Sequence, residues 1–137
     1  VKDPYPAVLS ALRADSAVVA IATQAKVSST VQAPPCVRLI DNSSTRNPFG
    51  QGSGRLGLQL WIGFARCYGT DDPAGAILAR QLASAVSDAL HGRIFPGSTF
   101  VFRAYAPDIE GLDRDPDTKW PYYDVRVEAY TAAFATA

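Results

Sequence analysis

In a chain of 137 residues, the chemistry that one histidine, two cysteines and a run of acidic residues can do is narrow enough to test directly. His91 is the only side chain whose ordinary pKa lies close to neutral pH. It closes the stretch QLASAVSDALHG, residues 81–92, where apolar spacing predicts the end of a helix. A catalytic triad needs a nucleophile placed against the histidine. The sequence has no GxSxG, HExxH or GxxxxGK[ST] motif, and no GxGxxG opens a helix after a strand. A histidine in the last helical turn, followed by Gly92, is explained without chemistry. The imidazole suits the helix C-terminus, and glycine suits the left-handed residue beyond it.

The acidic segment between Pro107 and Pro121 is the best candidate for a metal. Asp108, Glu110, Asp113, Asp115 and Asp117 surround Arg114, and Lys119 and Trp120 follow. Asp113, Asp115 and Asp117 alternate as the first ligands of a calcium loop do. Against this, Pro116 interrupts the run, Thr118 stands where such a loop needs glycine, and Asp124 stands where it needs glutamate. Three readings remain open: a solvated turn built on Asp and Pro, an electrostatic contact to a neighbouring subunit, and a metal site serving a small metal-dependent enzyme.

Cys36 and Cys67 are too few for a disulfide framework and too far apart for a zinc site. They read as small buried hydrophobes in a reducing compartment. Thirteen basic residues balance thirteen acidic ones, so the whole chain has no bias towards nucleic acid or an anionic membrane. Ten of the basic residues are arginines, the residue favoured for interfacial and bidentate contacts. With 47% apolar and 19% charged residues, the composition is that of a globular domain, and the length fits one domain, residues 1–137. No signal peptide and no membrane span is expected, so folding is expected in a cytoplasm.

The elements that must position these groups follow from periodicity. An amphipathic helix begins near Pro6 and reaches Arg13 or Ala14; Asp15 and Ser16 cap a second helix over 17–23. Short strands are expected at 27–31 and 36–40, then a loop from Asp41 to Gly54. The strand 55–66 alternates Leu56, Leu58, Leu60, Ile62 and Phe64, the expected core face, with a face that carries Trp61 beside glycines. Trp61, Tyr130 and Phe134 then form either an interface or a second face covered by helices. A helix capped by Asp72, with Pro73 at its first position, runs to about Leu90 with Ala74, Ile77, Leu78, Leu82, Ala85, Val86, Ala89 and Leu90 as its stripe. Strands at 99–105 and from Tyr122 to about Phe134 complete the order α-α-β-β-β-α-β-β. That order predicts an α+β fold: a largely antiparallel sheet with one long helix and a short N-terminal helical pair on one face.

Taken together, LSALRADSAVVAIA, the Pro-Pro before CVRLIDNSS, LGLQLWIGFAR, GTDDPAGAILARQLASAVSDALHG and YYDVRVEAYT resemble the tail terminator (tail completion) proteins of long-tailed bacteriophages, over nearly the whole chain. The resemblance implies a virion protein at the head-tail junction, assembled in the host cytoplasm. It implies a hexameric ring that caps the head-proximal end of the tail tube, stops polymerisation and offers a surface to the neck. Its partners would be further copies of itself, the tail tube protein and a neck or head-completion protein, with DNA passing through the lumen without sequence-specific binding. It implies no enzyme activity, no catalytic residue, no cofactor and no metal. A head-tail connector protein is the nearest alternative. Ring subunits contact each other through two different patches. The expected interface residues are Arg46, Phe49 and Arg55 around the loop, Asp108, Glu110, Asp113, Asp115, Asp117 and Trp120 in and after the acidic segment, and Trp61 and Tyr130 on the sheet.

Overall fold

The computed structural model describes residues 4–46, 59–95, 100–106 and 108–133. Helix α1 (Tyr5–Ala14) opens on Pro4, with Pro6 in its first turn, and buries Val8, Ala11 and Leu12. Asp15 ends α1 and starts α2 (Ser16–Ile21), its side chain accepting the Val18 amide at 3.1 Å, which is the capping expected of it. A 3-10 turn at Gln24–Lys26 leads into β1 (Val27–Ser28). Arg13 Nε donates to the Val27 carbonyl at 2.7 Å and ties the first helix to the first strand.

Strand β2 (Cys36–Arg46) lies parallel to β1 and antiparallel to β3 (Gln59–Tyr68). The long helix α3 (Gly75–Leu90) follows, then β4 (Ile94–Phe95), β5 (Phe100–Tyr105), β6 (Ile109–Arg114) and β7 (Pro121–Ala133). The strands join in one sheet of order β1-β2-β3-β7-β5-β4. Strand β6 pairs with the first part of β7, and β5 pairs with the remainder of the same edge. Apart from the β1–β2 pair every pairing is antiparallel, and the helices lie on one face. This is the α+β architecture expected from the order of elements.

Helix α3 begins two residues later than expected: Ala74 and not Asp72 is its N-cap residue, Pro73 stays outside the helix, and Asp72 Oδ1 accepts the Ala74 amide at 3.0 Å in the turn before Gly75. It ends at His91, and Gly92 takes φ +77° just beyond. Its buried residues are Gly75, Ala79, Leu82, Ala83, Val86 and Leu90, whereas Ile77, expected in the stripe, is 63% exposed.

The larger correction concerns β3. Its core face is the one carrying Trp61, Gly63, Ala65 and Cys67, all buried; Ile62 and Phe64, expected inside, are half-buried on the opposite face. Alternation identifies two faces but not the one a helix will cover. Here the glycine and alanine next to Trp61 leave room for its ring and for α3. A Cβ at Gly63 would run into the Trp61 ring and come within 2.8 Å of the Ile40 carbonyl oxygen. The Trp61 indole N–H donates to Asp41 Oδ1 at 2.7 Å, and the Tyr5 ring meets it edge-on at 6.0 Å. Val8, Leu12, Val18, Val37, Leu39, Leu82, Val86, Val125 and Val127 complete the core.

Two segments expected to be irregular are partly sheet. Residues 41–46, expected in the loop, continue β2 past a register shift between Asp41 and Ser43. Residues 109–114, expected in the acidic turn, form β6. Both are carried by pairing to β3 and β7, a tertiary effect that outweighs their polar composition. No helix among the described residues is long and apolar enough to cross a membrane.

Candidate functional site

The sheet face opposite the helices carries charged and aromatic side chains from three adjacent strands. Residues directly paired across strands share a face. The register Ile40–Phe64–Arg126, Ile62–Glu128, Arg38–Arg66–Asp124 and Tyr68–Tyr122 therefore lays out this surface. Apart from Tyr68, all of these side chains are half-buried, and none of the described helices lies over them.

One end of the face is closed by its own aromatic residues. Tyr68 is 1% exposed, with the Trp120 ring at 5.9 Å and the Tyr122 ring at 5.5 Å. Arg66 lies over the Tyr122 ring, 4.1 Å from its centre, and grips Asp124 with two hydrogen bonds of 2.8 and 3.0 Å. The hydrogen bond to Asp124 raises the Arg66 pKa further above its already high value, against a smaller desolvation effect. Arg126 pairs with Glu128 at 3.1 Å.

The β2 side of the face is not closed. Arg38 stands directly opposite Arg66 in the ladder, and its Nε is buried without a hydrogen-bond partner. A buried unpaired donor costs about 1–3 kcal/mol, and more when charged. Beside it, Ile40, Ile62 and Phe64 make a small apolar patch.

Across the sheet the acidic segment forms a hairpin. Asp115 folds back on its own turn, its Oδ1 accepting the amides of Asp117 and Thr118 at 2.9 and 3.0 Å, and these bonds hold its pKa below the usual aspartate value. Asp108, Glu110, Asp113 and Asp117 are exposed, and Leu112 between them is 45% exposed. Arg114 reaches Asp71 at 3.4 Å and the Lys119 carbonyl at 3.1 Å. Among the described residues no group of three His, Cys, Asp or Glu side chains is gathered as metal ligands.

The expected interface residues are thus distributed unevenly. Asp108, Glu110, Asp113 and Asp117 are at the surface, Trp120 is half-buried on Tyr68, and Asp115 is engaged by its own turn. Trp61 is 1% exposed and belongs to the core, so its expected place at an interface is corrected. Arg46 lies in β2 opposite Gln59, and Tyr130 lies in β7 opposite Leu60. Phe49, Arg55 and Phe134 fall outside the described residues. Arg38, Ile40, Phe64 and Arg126 are not among the interface residues expected from the sequence, where Phe64 was placed in the core face. The signal was Arg38 inside an otherwise apolar strand, CVRLI, a charge with no evident reason to be there.

His91 serves the fold. Its Nδ1 accepts the Ala106 amide at 3.2 Å, and Ser87 Oγ donates to the Ala106 carbonyl. Together they fasten the end of α3 to the residue after β5. Cys36 and Cys67 are both free and buried, and burial raises both thiol pKa values, Cys67 the more strongly.

Neither a family model nor a curated protein sequence matches the chain. Among solved structures, a chain from the virion of a native gene transfer agent (GTA) particle matches over 91% of this chain and 91% of its own, with a TM-score of 0.63 and 20% sequence identity. The two share a fold. The match spans both the helical layer and the sheet, since so little of either chain is left over.

Proposed function

We propose that this chain is a structural virion protein that caps the head-proximal end of a phage tail tube as a hexameric ring, ends tube polymerisation and presents the attachment surface for the neck. The observation that carries this reading is the shared fold with a virion chain over nine-tenths of both lengths. The sequence resemblance to tail terminators points the same way. A sheet face left with an unneutralised cation and an exposed acidic hairpin supplies two different patches, as ring subunits require. The reading assigns no catalytic step: His91, the one candidate acid-base group, is engaged in holding α3 to the chain after β5.

The test is electron microscopy of particles made when the gene is silenced in its phage. Overlong or ragged tubes beside DNA-filled, tailless heads are expected. Tubes of normal length that fail to join heads would replace this reading with a neck connector, and normal infectious particles would end it.

A further inference from the structure

The charge on the open sheet face is ordered across the strands. Glu110 on β6, Asp124 on β7, Arg66 on β3 and Arg38 on β2 are successive partners in the ladder, so they stand in one row. The two inner members satisfy each other through the paired bonds of Arg66 and Asp124. The outer members do not: Glu110 is exposed beside a second carboxylate, and Arg38 is beside a second guanidinium with its Nε buried and unbonded. Like charges paired across a ladder are unfavourable. The row is thus acidic at one end and basic at the other, with nothing in the described chain to complete either.

We propose that successive copies of this chain dock head to tail, the acidic hairpin of one copy seating on the Arg38 end of the next copy's open face. This rests on the ring reading above and names the contact that would build the ring. Three features favour a second copy as the occupant. The face's other carboxylates, Asp124 and Glu128, are already held by Arg66 and Arg126, so no free carboxylate remains for Arg38 among the described residues of this face. The hairpin holds a surplus of acid, with Glu110, Asp113 and Asp117 exposed and free of ion pairs among the described residues. Leu112, exposed between Glu110 and Asp113, offers an apolar counterpart to Ile40, Ile62 and Phe64. A chain cannot make this contact with itself, because its hairpin is fixed to β7 on the far side of β3.

The experiment uses charge reversal in the full chain, read by sedimentation velocity over a concentration series. Arg38→Glu makes both patches acidic, and Glu110→Lys with Asp113→Lys makes both basic. Wild-type protein is expected to self-associate less as salt rises. Each variant alone should associate about tenfold or more weakly, because like charges then meet. An equimolar mixture of the two variants should recover the association, since each patch again finds its opposite. The hairpin variant alters exposed side chains only, so it remains informative even where Arg38→Glu fails to fold.

Variants that associate as the wild type does, or a mixture no stronger than its components, would overturn the contact while leaving a ring intact. Wild-type chains that stay monomeric throughout would overturn it too. Normal tails after silencing of the gene would instead remove the ring reading, which separates the two failures.

Discussion

The two faces of the β2–β3–β7 sheet are made by alternate residues of the same strands, yet they obey different rules. On the helix side, β3 presents Trp61, Gly63, Ala65 and Cys67, and β7 presents Val125, Val127 and Ala129, all buried and apolar or small. On the other side the same strands present Ile62, Phe64, Arg66, Asp124, Arg126 and Glu128, all half-buried. The first face is finished by packing inside one chain. The second is finished only where Arg66, Asp124, Tyr68, Tyr122 and Trp120 close on each other, and it is left incomplete around Arg38. Stability and association are therefore expected to separate by face.

The strongest way to break that division is at Trp61. Truncation of a buried tryptophan to alanine typically costs about 3–5 kcal/mol, and here it also removes the indole N–H bond to the exposed Asp41 carboxylate. Trp61→Ala should lower the midpoint of thermal and urea unfolding sharply. A variant that melts like the wild type would show that the helix-covered face does not hold the fold.

Gly63→Ala tests the same face from the opposite direction, by adding an atom. The new Cβ would meet the Trp61 ring and the Ile40 carbonyl, so β2, β3 or the ring must shift. Overpacking of this kind costs about 1–3 kcal/mol. Urea unfolding should show a reduced midpoint with an unchanged slope; a neutral outcome would mean that Trp61 has a second position available.

Phe64→Ala, one residue further along the strand, carries the contrast. Full burial of a phenylalanine is worth about 1.5–3 kcal/mol, and a half-buried one correspondingly less. The expected loss of stability is below about 2 kcal/mol, while self-association should weaken more visibly. A cost equal to that of Trp61→Ala would place both faces in the core and leave no open surface.

This division also marks what could be read in the sequence. The Asp15 cap of α2, the alternation in β7, the His91–Gly92 ending and the α+β order were legible because each is a local signal of period, cap or turn. Which face of β3 lies inside was not, because both faces are apolar enough to be core. The decision belongs to the fit of Gly63 and Ala65 under Trp61 and α3. The extension of β2 and the existence of β6 were hidden for a related reason. Polar residues such as Asp41 or Asp113 have no strand preference of their own and take strand geometry from the partner strand. Of the candidate site, the acidic half was visible as a cluster. Arg38 was not, because a lone charge acquires its meaning only from the neighbours that fail to neutralise it.

The smallest expected effect lies in the hairpin, and it distinguishes a structural carboxylate from those left free for a partner. Asp115 is the acidic residue of this segment that accepts hydrogen bonds from its own turn. Its folded-state pKa is lowered, chiefly by the bond from Thr118 and then by that from Asp117. The ionised form is therefore the one that stabilises the turn. Its contribution is complete above the ordinary aspartate pKa of about 3.9 and disappears as pH falls through the lowered folded-state value. In an NMR titration the Asp115 carboxyl should protonate below the ordinary aspartate value of about 3.9, and the Asp117 and Thr118 amides should move with it. Replacement by alanine should loosen the hairpin tip while leaving the sheet intact, since the turn hangs from β6 and β7 outside the core. An Asp115 that titrates at the ordinary aspartate value would show the turn to be held by its backbone bonds alone, those joining Asp115 to Lys119 and Trp120, and its carboxylate would then be available to a neighbouring surface.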